Sequence, residues 1–67
     1  GAVSYRRTRA QTRIVEQAAQ QGWRYARNAG EEEFHEPWCR SLDAQHPTER
    51  VSAEEFRARK HHLHDCE

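Results

Sequence analysis

The residues of this sequence with the most specific chemistry are two cysteines and five histidines: His35, Cys39, His46, His61, His62, His64 and Cys66. All seven lie in its second half. Two pairs share a spacing: His35 and Cys39 are four apart, as are His62 and Cys66. Structural zinc takes thiolate and imidazole together in a tetrahedral shell, in either order. His35, Cys39, His62 and Cys66 are therefore the expected ligands of one zinc ion. His46, His61 and His64 are substitutes. If the last helix stops early, His64 and Cys66 can chelate from an extended tail. Pro37 lies between His35 and Cys39, so that pair cannot be a plain helical pair and needs a turn that folds His35 back.

Other fates are open to these side chains. Cys39 and Cys66 can remain free thiols or join as a disulfide, although in a cytoplasmic chain a cysteine pair is more often a metal site or reduced. His61, His62 and His64, with Arg57 and Lys60 nearby in sequence, contain the groups for histidine acid–base cleavage of RNA. Spacing alone does not position them, and a site with four protein ligands leaves no place for a catalytic water. The expectation is a protein that is not an enzyme and has no small-molecule substrate.

A second pattern lies near the N-terminus. Arg6, Arg9, Arg13, Gln17, Gln20, Arg24 and Arg27 recur at steps of three and four, and at about 100° per residue they share one helical face. Ile14, Val15, Ala18, Ala19, Gly22, Tyr25 and Ala26 lie opposite. Arginine suits phosphate because its planar fork donates paired hydrogen bonds. This face is the expected contact for DNA or RNA, and the alternative partner is a larger protein with complementary charge. The acidic run Glu31–Glu33 counts against nucleic acid, since it repels phosphate.

The chain has 67 residues and a net charge of zero, with 33% charged and 34% hydrophobic residues. The expectation is one small domain, 1–67, with a core too thin to hold without a staple. Zinc would supply it, because its binding energy becomes folding energy. The charge is unevenly distributed. Residues 1–29 carry six arginines and one acid, while residues 30–67 carry ten acids and five basic residues. No apolar run is long enough to span a membrane, and no secretory leader pattern is present, so a cytoplasmic location is expected.

The elements that would position these groups read as mainly α: a small three-helix domain. A long basic helix runs from about Tyr5 to Asn28, with Ser4 as its N-cap and Asn28 and Gly30 as stop signals. A short central helix runs from Pro37 to Gln45, burying Trp38 and Leu42. The third runs from Ala53 to about His64. Ser52 and Glu55 read as its capping box, and Val51 and Phe56 as a hydrophobic staple. The alternative is α+β: Gly22 ends a shorter first helix, and a hairpin occupies 23–35.

Overall fold

The computed structural model of the chain describes residues 7–66. It overturns the three-helix expectation. The fold is a small α+β arrangement in the order α1 (Arg9–Gln20), β1 (Tyr25–Arg27), β2 (Glu49–Val51) and α2 (Ala53–Ala58). No helix among the described residues is long and apolar enough to cross a membrane.

Helix α1 is shorter than expected at both ends, for local reasons. It starts at a capping box whose signature is Thr8 and Gln11. The Thr8 hydroxyl accepts from the Gln11 N–H at 3.1 Å, and the Gln11 side chain accepts from the Thr8 N–H at 2.9 Å. This exchange satisfies two N–H groups that a helix start leaves unpaired. The expected cap, Ser4, lies outside the described residues, as do Tyr5 and Arg6. The helix ends at Gly22, whose φ of +90° is a left-handed conformation that glycine adopts without strain. The Gly22 N–H then reaches the Ala19 carbonyl at 3.0 Å and the Trp23 N–H reaches Ala18 at 3.1 Å. That pair of bonds is a Schellman closure. It releases Trp23–Arg27 from the helix and breaks the arginine series after Gln20.

Strand β1 then pairs antiparallel with β2, matching Tyr25 with Val51, Ala26 with Arg50 and Arg27 with Glu49. On its other edge Ala26 bridges His35, with the two residues exchanging both backbone bonds. The hairpin that the α+β alternative places at 23–35 is reduced to that one bridge, and the main partner of β1 comes from much later in the chain. Phe34 makes a further, parallel bridge to Leu63. Four segments therefore lie side by side: 62–64, 34–35, 25–27 and 49–51.

Side chains alternate faces along extended backbone, so the ribbon separates two clusters. Tyr25 and Phe34 share one face with Phe56 and His61. The Tyr25 and Phe56 ring centroids are 4.3 Å apart, and Phe34 meets Phe56 edge-on at 5.9 Å. Ala26 and His35 point to the opposite face. There Ala26, Cys39, Leu42 and Cys66 form a buried cluster, with Trp23 and Trp38 packed against it.

The central helix is absent; residues 37–46 are a chain of turns. Cys39 N–H bonds Glu36, Leu42 bonds Cys39 and His46 bonds Asp43, each to the carbonyl three residues back. Asn28 pins these turns from across the molecule: its amide donates to the Ser41 carbonyl at 2.6 Å and accepts from the Asp43 N–H at 2.8 Å. Backbone groups held in this way cannot continue a helical ladder.

Helix α2 begins where expected, with the Ser52 hydroxyl accepting from the Glu55 N–H at 3.1 Å. The Glu55 carboxylate turns instead to Arg59, 3.5 Å away. The helix ends at Ala58 rather than His64. Lys60 takes a left-handed φ of 55°, and the chain beyond is extended to reach its bridge with Phe34.

Candidate metal centre

The fold brings His35, Cys39 and His64 together, each offering a ligand atom within 4.8 Å of the other two. Each arrives by a different local route. His35 leaves its bridge with Ala26 in extended form. The Glu36–Cys39 turn then swings Cys39 back, placing its Sγ 3.4 Å from His35 Nδ1. His64 comes from the extended tail after α2, held by its N–H to the Phe34 carbonyl at 2.7 Å. The His35 and His64 rings lie 4.5 Å apart between centroids. His35 and Cys39 are buried and His64 is half-buried.

Cys66, two residues beyond His64, lies beside this group, and its thiol is not among the ligand atoms that meet within 4.8 Å. Its thiol contacts that of Cys39, and both cysteines are buried free thiols. Removal from water raises the Cys66 thiol from 9.0 to about 12, and its hydrogen bond with Cys39 adds to that rise.

Two carboxylates flank the imidazoles. Glu31 Oε1 lies 3.1 Å from His35 Nε2, and Glu33 Oε1 lies 3.3 Å from His64 Nδ1. Glu31 is held below its ordinary value of 4.5, chiefly by a hydrogen bond from Asn28 and then by His35, so it remains an anion at neutral pH.

Of the four ligands expected from spacing, the structure gathers His35 and Cys39, with the Cys66 thiol against that of Cys39, but not His62. The side chain of His62 is exposed, and only its carbonyl is engaged, by the Phe34 N–H at 2.9 Å. His64 stands in its place. The sequence signal for this is His64-x-Cys66, a two-residue step that shares a face only when the backbone is extended. The other histidines have separate surroundings. His61 stacks on Phe34 at 4.4 Å, and His46 is exposed. His61, His62 and His64 do not meet one another as an acid–base set.

The expected nucleic-acid face is also divided. Arg9, Arg13, Gln17 and Gln20 lie on α1, and Arg6 falls outside the described residues. Arg24 pairs with Glu36 and its guanidinium lies 4.5 Å from the centre of the Tyr25 ring. Arg27 donates to Glu49 at 3.0 Å and to the Glu31 carbonyl at 3.1 Å. Both serve the interior of the fold rather than a continuous helical stripe. Comparison with protein-family models, curated proteins and solved structures finds no match to this chain.

Proposed function

We propose that this chain is a small binding module closed by a structural zinc ion on His35, Cys39, His64 and Cys66. The convergence of the first three within 4.8 Å carries this reading. With bond lengths near 2.05 Å to nitrogen and 2.3 Å to sulfur, neighbouring nitrogen and sulfur ligands on tetrahedral zinc lie about 3.6 Å apart. His35 Nδ1 and Cys39 Sγ, at 3.4 Å, already match that edge. Two thiols and two imidazoles are a soft, closed donor set suited to zinc. The zinc would join the 34–39 segment to the 64–66 tail. With all four positions taken by protein, its task is to hold the fold.

The partner we propose is DNA or RNA, contacted through the first half of α1. Arg9 and Arg13 are exposed there and Arg7 just before its N-cap, and no carboxylate forms an ion pair with them among the described residues. Arg9 and Arg13 are the arginines of the series without an ion pair among the described residues, and Arg7 adjoins them. A larger protein partner is the second reading, favoured by Ile14, which is 38% exposed on the same helix.

Metal analysis of protein purified without added metal tests the zinc reading. One zinc per chain is expected. Cobalt substituted for it should show tetrahedral ligand-field bands and thiolate-to-cobalt charge transfer. Protein that contains no zinc, takes up no cobalt and melts identically with and without chelator would refute it.

A further inference from the structure

We infer that Glu31 and Glu33 are positioning residues that dictate which nitrogen of each imidazole faces the metal: Nδ1 of His35 and Nε2 of His64. The inference rests on the zinc reading above. It starts from an asymmetry in the chemistry. An ionised carboxylate only accepts hydrogen bonds, and a neutral imidazole carries one N–H and one lone pair. The ring nitrogen that faces the carboxylate must therefore hold the proton, and the lone pair is left on the other.

At His35 the carboxylate partner, Glu31, stands 3.1 Å from Nε2. The proton is thereby held on Nε2, and the lone pair falls to Nδ1, the atom 3.4 Å from Cys39 Sγ. At His64 the arrangement is inverted: Glu33 stands 3.3 Å from Nδ1, leaving Nε2 as the donor. Outer carboxylates of this kind fix the tautomer and ring orientation of histidine ligands and make them more basic. The two glutamates belong to one short segment that leads directly into the bridges of Phe34 with Leu63 and His35 with Ala26, so each is placed next to backbone that the sheet already holds.

Glu32 supplies an internal control. It is exposed and carries the same charge between the two, yet no hydrogen bond or ion pair joins it to a histidine among the described residues. Its removal reports the bulk electrostatic effect of one lost carboxylate. The excess effect at Glu31 or Glu33 reports the hydrogen bond. Glutamine offers a second control, because its carbonyl oxygen can still accept from the imidazole N–H without the charge.

The test is long-range proton–nitrogen NMR of the zinc-loaded wild type, together with zinc affinities by chelator competition for Glu31→Ala, Glu33→Ala, Glu32→Ala, Glu31→Gln and Glu33→Gln. The spectra should show His35 bound through Nδ1 and His64 through Nε2. Glu31→Ala and Glu33→Ala should each weaken zinc about 10- to 100-fold, the glutamine variants should recover part of the loss, and Glu32→Ala should stay within about threefold of wild type. Zinc bound through His35 Nε2 or His64 Nδ1 overturns the inference and leaves the zinc reading standing. So does equal loss at positions 31, 32 and 33. A wild type that binds no zinc removes the zinc reading and this inference together. The NMR arm needs no variant, so a variant that folds poorly does not decide the question.

Discussion

Replacing His64 and, separately, His62 by alanine separates the proposed ligand set from the one that equal spacing suggests. Structural zinc contributes about 10–16 kcal/mol of apparent binding energy in small domains. Shared evenly by four ligands, that is about 2.5–4 kcal/mol each, or about two to three orders of magnitude in affinity. Water can fill part of the gap, so His64→Ala is expected to weaken zinc about 100-fold. His62→Ala removes an exposed imidazole and keeps the carbonyl that receives the Phe34 N–H. Such surface changes usually fall within about 0.5 kcal/mol, so its affinity should stay within about twofold of wild type.

The same difference should appear in melting. With free zinc at about 1,000 times the wild-type Kd, binding stabilises the fold by about 4.1 kcal/mol. A 100-fold weaker variant at that concentration keeps about 1.4 kcal/mol and loses about 2.7. For a domain of this length, that corresponds to a fall in Tm of about 11–22 °C. Trp23 and Trp38 pack against the cysteine cluster, so their fluorescence can follow both the melt and the titration. If His62→Ala proves the damaging change and His64→Ala the silent one, the extended tail described here is wrong and the helical continuation to His64 is restored. Equal effects would refute the assignment as well.

Three other outcomes are expected. Ser52→Ala removes the hydroxyl that accepts from Glu55 N–H and should cost about 1 kcal/mol, or about 4–8 °C in Tm; an unchanged thermal melt would place the start of α2 elsewhere. In the metal-free fold the Cys66 thiol, raised from 9.0 to about 12, contributes stability that is complete below 9.0 and is lost as pH climbs toward 12. Zinc must expel that proton, so through Cys66 alone affinity should rise about tenfold per unit between about pH 6 and pH 8; calorimetry in buffers of different ionisation enthalpy counts the protons, and zero release refutes this. If Arg7, Arg9 and Arg13 each neutralise a phosphate, the log–log salt slope on duplex DNA should be about −2.7. Arg9→Gln with Arg13→Gln should flatten it by about 1.8, while Arg24→Gln with Arg27→Gln should lower Tm and leave the slope alone; a slope near zero for wild type would favour the protein-partner reading.

Where the sequence could be read, the signal was local. Ser52 marked the start of α2 because its cap acts within one turn. The possibility that Gly22 ends α1 followed from its tolerance of positive φ. Thr8 and Gln11 carried an equally local signature, hidden by an arginine period that continues smoothly past both helix ends. What could not be read depended on distant partners. Nothing near Tyr25–Arg27 names Glu49–Val51 as its mate, since antiparallel pairing across that separation is set by which faces become buried. The central segment has helical spacing at Trp38 and Leu42, but Asn28 overrides it from across the molecule. The choice of His64 over His62 follows from where α2 stops, and therefore from the Phe34–Leu63 bridge.

The uneven charge of the chain takes on a different meaning once paired in space. Read along the sequence, a basic N-terminal part and an acidic C-terminal part suggest two opposed faces, and Glu31–Glu33 suggests repulsion of phosphate. In the fold, Arg24 meets Glu36 and Arg27 meets Glu49, so acids from the second half neutralise the inner part of the arginine series across the sheet. Glu31 and Glu33 turn to His35 and His64. An acidic group hydrogen-bonded to an imidazole beside a dication opposes a polyanion far less than a solvated one does, because the cation it helps to hold offsets its charge. The objection that the acidic run raises to nucleic-acid binding therefore depends on metal occupancy. On the proposed zinc and nucleic-acid readings, zinc-loaded protein should bind an oligonucleotide more tightly than chelated protein even where the chelated chain keeps its helices; equal binding of the two forms would refute a coupling between the staple and the arginine-bearing helix.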